Sequence, residues 1–193
     1  MSQTKPIKNI SEMKAFRDYY LLENYNLRNY VLIVFGLNTA LRISDLLTVC
    51  WADIFDFKKK SFRKHLEITE SKTGKRNIIA LNSSIISALL LYKESFSHIT
   101  EKDFLFPSPK DSTTHLSRYQ AYRIVKHAAD AVGIDGVIGC HSMRKTFGYQ
   151  ASKQGVSPAI LMNIYNHSSY QITKRYLDID QDDKDETFFK VTL

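Results

Sequence analysis

Residues 27–37 read LRNYVLIVFGL, and this run constrains the fold more than any other stretch of the chain. A helix made from it is apolar on every side, so it must be enclosed by other elements rather than laid on a surface. No run of 18 apolar residues occurs, so no transmembrane helix is expected. The enclosing elements are legible from their caps. Ser11 opens EMKAFRDYYLL, residues 39–42 form a turn, and Ser44 opens DLLTV. Asn82 or Ser83 opens SIISALLLYKESF, and Ser117 opens RYQAYRIVKHAADAV, which Gly133 ends. Ser142 opens MRKTFGYQASKQ, which Gly155 ends, and Ser157 with Pro158 at the first helical position opens AILMNIY. Ser168 or Ser169 opens the last helix, which carries Tyr176.

The character changes at Trp51. FRKHLEIT and RNIIAL favour strands, and ESKTGK between them is a turn containing Gly74. DFLF is a short extended piece closed by Pro107 and Pro109. The expectation is an α+β fold, mainly helical, with a small three-stranded antiparallel sheet. The chain's 193 residues suit one domain, and 44% hydrophobic content is enough for a proper core. The segment MSQTKPIKNIS lacks the apolar centre of a signal peptide, which points to the cytoplasm. Cys50 and Cys140 lie far apart and match no metal spacing, so both are expected as reduced, buried thiols.

Charge narrows the partners. The net charge is +7, but residues 178–193 hold six acids and two lysines, so residues 1–177 carry +11. A body that basic suits a polyanion, with nucleic acid first; a generally cationic, solvated surface is the plainer explanation. No P-loop, dinucleotide glycine pattern or zinc-helix histidine pair is present, and adjacent Cys140 and His141 do not suit a nucleophile–base pair.

Several residues stand out singly. Arg42 lies between Leu41 and Ile43, and a buried arginine needs a carboxylate or a phosphate. Asp45 is near enough to supply a purely structural pair. HSMRKTF places His141 just before a helix and Arg144 in its first turn, where free N–H groups and the helix dipole favour an anion. A capped helix start with a solvated arginine is the plainer account. Lys72 at the strand-to-strand turn and His167 after a helix end are, taken alone, ordinary surface residues.

Taken together and in order, these pieces resemble the catalytic domain of the tyrosine recombinases, the phage-integrase family. TALRISDLL is similar to its first arginine motif, with Arg42. SKTGKRNIIAL is similar to its hairpin lysine motif, with Lys72, and HSMRKTF to its His-x-x-Arg box, with His141 and Arg144. NHSSYQITKRYL is similar to its closing motif, with His167 and the nucleophile Tyr176. The likeness runs from about Asn26 to Leu177.

The resemblance implies cutting and rejoining of double-stranded DNA through a 3′-phosphotyrosyl link, with no metal, ATP or other cofactor and no membrane. It implies Arg42, Arg144, His141 and His167 around a phosphate, Lys72 as proton donor to the leaving oxygen, and Tyr176 as attacking group. Physical reasoning alone does not choose Tyr176 over Tyr149, Tyr165 or Tyr170; the motif does. A DNA-gripping relative without activity, and a relaxing enzyme of the type IB topoisomerase kind, are the alternatives. Asn166 stands where the family usually has Gly, Ala80 replaces a common proline, and Lys145 replaces a frequent second histidine. Only 41 residues precede Arg42, so the expectation is a short, stand-alone integrase-like protein without a DNA-clamping domain. Residues 1–177 would form the catalytic domain. Residues 178–193 would form an acidic tail with a short helix, docking through Phe188, Phe189 and Val191 on its own body or on a second copy.

Overall fold

A computed structural model describes residues 4–179, 184–185 and 188–192. At its centre is α2 (Leu27–Thr39), whose Val31, Leu32, Ile33, Val34 and Phe35 are at most 1% exposed. One side of α2 joins a core with Trp51, Leu66, Ile85, Leu89 and Phe106. The other side joins Phe16, Tyr20, Val125 and Met143. The all-round apolarity of LRNYVLIVFGL is thus spent on two cores, with α1 (Ile10–Leu22), α5 (Ser83–Glu94) and α7 (Cys140–Lys153) around it. Gly36 makes the approach of α7 possible: a Cβ there would sit 2.5 Å from the Met143 sulfur.

The caps explain where the helices begin. Asn82, Ser117, Ser157 and Ser169 cap α5, α6 (Arg118–Ala131), α8 (Pro158–Tyr165) and α9 (Tyr170–Leu177), each accepting a first-turn N–H. Each such cap is worth about 1 kcal/mol. Three starts differ from expectation. Asn9, not Ser11, caps α1, accepting from Ser11 N at 2.8 Å. Arg42, not Ser44, is the N-cap of α3 (Ile43–Leu47) and holds extended backbone. Gly139, not Ser142, opens α7; the Ser142 hydroxyl accepts the Gly139 N–H at 3.1 Å, which moves His141 into the first turn.

Among the described residues the strands form two separate antiparallel pairs rather than one three-stranded sheet. After the short α4 (Trp51–Ile54), β1 (Phe55–Asp56) pairs with β2 (Ser61–Phe62). The Arg63 N–H then bonds the Ile54 carbonyl at 2.8 Å and its Nε bonds the Ala52 carbonyl at 2.9 Å. Those bonds end the first ladder, and β3 (His65–Thr69) pairs only with β4 (Arg76–Ala80), Leu66 opposite Ile79. Leu66 points into the core and is fully buried, while His65 and Glu67 face water. The mainly helical α+β class stands.

DFLF is not a continuous strand: Phe104 makes an isolated bridge to Cys50 and the chain bends on either side, with Leu105 and Phe106 buried. Cys50 and Cys140 are free thiols, partly rather than fully buried; burial pushes the Cys140 thiol up to about 12. Residues 4–8 lie along α7: Ile7 N–H bonds Thr146 Oγ1 at 2.8 Å, and Lys145 Nζ bonds the Thr4 carbonyl at 2.6 Å. In the tail, residues 180–183 and 186–187 lie outside the described set, so the expected tail helix is described only in part. Phe188 and Phe189 are 81% and 85% exposed. Among the described residues no helix is long and apolar enough to cross a membrane.

Candidate active site

Arg144 and Arg42 are brought together by the end of α2. Ala40 closes that helix in the left-handed region, φ 53°, a conformation a non-glycine residue adopts only when its surroundings hold it. Arg144 Nη1 donates to the Ala40 carbonyl from across the fold. The Arg144 guanidinium also lies 4.7 Å from the Tyr165 ring centroid, and the residue is 4% exposed. Arg42, two residues beyond Ala40, donates through Nη1 to Glu70 Oε2 at 2.5 Å.

The Arg42–Asp45 pair therefore does not form. Asp45 Oδ1 instead accepts the Ser71 N–H at 3.1 Å and the Ser71 hydroxyl, tying the hairpin to α3. Asp45 Oδ2 is buried with no hydrogen-bond partner among the described residues.

The nucleophile candidate is set by a missing side chain. A Cβ on Gly148 of α7 would lie 2.4 Å from the Tyr165 hydroxyl and 2.6 Å from Leu177. Its absence lets α8 and α9 close on α7, and Tyr165 then donates to the Arg144 carbonyl at 2.7 Å. Tyr176 on α9 packs 5.3 Å from the His167 ring, edge to face, and 5.4 Å from the Tyr165 ring. Lys145 Nζ lies 5.3 Å from the Tyr176 ring centroid. Burial pushes the Tyr176 phenol above the ordinary tyrosine value; Arg144, by charge and hydrogen bond, and Arg42, by charge, pull it back.

His167 follows Asn166, which occupies the left-handed region at φ 55°. Its Nδ1 is 3.1 Å from Thr173 Oγ1 and its ring stacks on Tyr165. Desolvation, then Arg144 and Arg42, hold His167 below the usual imidazole value. His141 is lowered in the same sense by desolvation and then by Arg144, Lys145, Arg42 and Lys72. Exposed Lys72 on the β3–β4 turn, His141 and Arg42 line a cleft of about 440 Å³ with Ser71 and Arg118. A second cleft, of about 630 Å³, runs from Lys75 and Arg76 to Asn166 and His167.

The six positions singled out in the sequence fall into two groups, joined where Arg144 bonds the carbonyl of Ala40, two residues before Arg42. Arg42, Lys72 and His141 line one cleft, while His167, Tyr176 and Arg144 all pack on Tyr165. Guanidinium, imidazole and ammonium groups are the donors that suit a phosphate-sized anion, and Arg42, Lys72 and His141 bring one of each to the same cleft. Two participants were not visible in the sequence. Arg118 reads there only as the first residue of a capped helix. Glu70 reads as a solvated turn acid, yet it is 1% exposed. Burial alone would raise its carboxyl; hydrogen bonds from Arg42 and Thr73 and the nearby arginine charges outweigh that and hold it low. Among the described residues no group of three or more His, Cys, Asp or Glu side chains is placed to hold a metal ion.

Comparison with known proteins adds a family and a fold. The pattern of the phage integrase family matches residues 8–183. The chain is 38% identical over 182 residues to the probable integrase/recombinase YoeC of Bacillus subtilis (strain 168), covering 94% of this chain and 93% of that protein. Among solved structures it is similar to the XerA recombinase, with a TM-score of 0.75 and 18% identity, over 98% of this chain and 64% of that one. It is also similar to a lambda integrase (75-356) dimer bound to a COC′ core site, with a TM-score of 0.68 and 20% identity, over 93% of this chain and 61% of that one. At these identities the two structural likenesses establish the fold. This chain spans less than two thirds of either solved protein's length.

Proposed function

The chain belongs to the phage integrase family, and on that premise we propose that it cuts and rejoins double-stranded DNA through a covalent link to Tyr176. The observation that carries this reading is the Tyr176 ring packed on His167 and on Tyr165, the same ring over which the Arg144 guanidinium lies.

A phosphodiester repels nucleophiles by its charge, and its transition state gathers more charge on the equatorial oxygens. Fixed donors aimed at those oxygens are the main catalytic device available. Arg42 and Arg144 are permanently charged planar donors, and His141 and His167 add hydrogen bonds. Tyrosine ordinarily ionises near pH 10, so the phenol needs a base and cationic neighbours. A neutral His141 can take its proton, and the lowered His141 value favours that neutral form. The Tyr176 oxygen then bonds to phosphorus and the bond to the 5′-oxygen breaks. Lys72 delivers the proton that leaves with that oxygen as a free hydroxyl. A different 5′-hydroxyl can reverse the step, so strand exchange needs no outside energy source.

DNA as partner is supported by the basic body and by α6, whose Tyr119, Tyr122, Arg123 and Lys126 continue from Arg118 at the cleft. Tyr119 is 68% and Tyr122 43% exposed. The exposed Phe188 and Phe189 support docking of the tail on a second copy during assembly on DNA. A cytoplasmic protein that joins the nucleoid when DNA-bound fits this reading.

The test is a nicked suicide duplex carrying the repeats that flank the gene. Wild type is expected to form a covalent adduct and Tyr176→Phe none. A wild type that binds this duplex without forming an adduct would be a DNA-gripping relative instead, and supercoil relaxation without recombined product would point to a topoisomerase-like activity.

A further inference from the structure

Glu70 has no part in the chemistry above, yet among the described residues it is the least exposed charged residue. A carboxylate this buried persists only when its partners compensate for lost water. Four side chains from three parts of the chain do so. Arg42 Nη1 at 2.5 Å, Thr73 Oγ1 at 3.0 Å and Asn166 Nδ2 at 3.4 Å donate to Oε2. Asn77 Nδ2 donates to Oε1 at 3.4 Å. The Glu70 backbone also closes the turn that bears Lys72: its N–H bonds the Lys75 carbonyl at 2.9 Å and its carbonyl accepts the Gly74 N–H at 2.8 Å. Asn166 completes the link, its Oδ1 accepting from Lys75 Nζ at 3.2 Å. Asn166 can do this because asparagine is one of the few side-chain-bearing residues that tolerates φ 55°.

Two roles suit a carboxylate beside a phosphate-binding arginine: it competes with the phosphate, or it sets the arginine's direction. The geometry separates them. Among the described residues Glu70 engages Arg42 through Nη1 alone, which leaves the rest of the fork for another anion. Its other three donors hold Glu70 in place when that anion arrives.

We propose that Glu70 is a positioning residue, fixing the Arg42 guanidinium, the Lys72 hairpin and the His167 turn relative to one another so that all three meet one phosphodiester. This rests on the DNA-cutting chemistry proposed above. Asn166 is the accessory clasp on the hairpin side.

The experiment uses the full chain, the nicked suicide duplex, and the variants Glu70→Gln and Asn166→Gly. Glu70→Gln keeps size and removes charge. Adduct formation is expected to slow about a hundredfold, the scale of a misplaced donor, while duplex affinity holds or tightens because a negative charge has left a cationic cleft. Cutting as fast as wild type, or faster, would make Glu70 a competitor for Arg42 and overturn the proposal.

Asn166→Gly suits the positive φ and deletes the clasp on Lys75 together with one of the two longer bonds to Glu70, leaving Arg42 and Thr73 on Oε2. It is expected to slow cutting by about tenfold, part of what a general acid supplies. That loss should vanish on a duplex whose leaving 5′-oxygen is replaced by sulfur, since a thiol ionises near pH 8.5 and its thiolate departs without a proton. Equal slowing on both substrates would break the link to Lys72.

Amide exchange at Gly74 is read without DNA cutting. Glu70→Gln should speed it, and unchanged exchange overturns the proposal even if wild type forms no adduct. A missing wild-type adduct with accelerated exchange would sink the DNA-cutting chemistry and leave the Glu70 hub standing.

Discussion

The two ends of the site are built on opposite terms. Arg144 is inside the protein, 4% exposed, bonded to the Ala40 carbonyl and stacked on Tyr165. Lys72 is outside, at the tip of a hairpin whose two strands bury only Leu66. Removing the first takes away packing, a cap on a strained residue and a charge. Removing the second takes away a charge only. The difference matches the work that the proposed chemistry asks of each. A donor that stabilises growing charge gains by being fixed before the reaction, whereas a proton donor to a departing oxygen has to follow that oxygen.

The strongest attempt to break this contrast is Arg144→Lys. An ammonium cannot bond Ala40 and face a phosphate at once, so adduct formation should fall by about 10²–10³-fold. The thermal midpoint should fall with it. A variant that loses activity at full stability would show that Arg144 has no structural share. Lys72→Ala comes next, with an expected loss of about 10² and an unchanged midpoint; a clear drop in midpoint would mean that the hairpin is part of the core.

Gly148→Ala probes the buried side with a single methyl. Overpacking of this kind costs about 1–3 kcal/mol, and α9 should shift away from α7, so stability and adduct yield decline together in calorimetry and the duplex assay. The smallest effect is in the imidazoles. His141 and His167 should titrate below the ordinary value of about 6.5 in a proton NMR titration of the free protein. Because the folded values are the lower ones, the unfolded chain binds more protons between them and 6.5, and stability should fall as pH drops through that window. Midpoints above 6.5 would mean that carboxylates outweigh the desolvation and the arginine charges acting on the two rings.

What could be seen in the sequence follows the same division. The buried central helix announced itself by apolarity, and most caps by a Ser or Asn at a periodicity break. The six site positions were legible as an ordered set of motifs resembling a family, not as a cluster, because nothing local places Arg42 beside Arg144. The hidden features depend on partners distant in the chain. Glu70 sits in a turn where an acid is normally solvated, and only Arg42 and Asn166 make it a buried hub. Ser142 looks like a cap because it is a serine before a helix pattern, but its hydroxyl reaches back to Gly139. The third strand failed because the Arg63 bonds to Ala52 and Ile54 divert the chain between β2 and β3. Gly148 carried no signal at all; an unremarkable helical glycine in the sequence, it sets the spacing of three helices in space.

The packing of Tyr176 and Arg144 on the same Tyr165 ring has an arithmetic consequence. On the proposed chemistry the anion ligands and the attacking oxygen come from the same polypeptide. The stoichiometry is then one protomer per severed strand, and a duplex opened on both strands calls for a pair of copies, each completing its own incision.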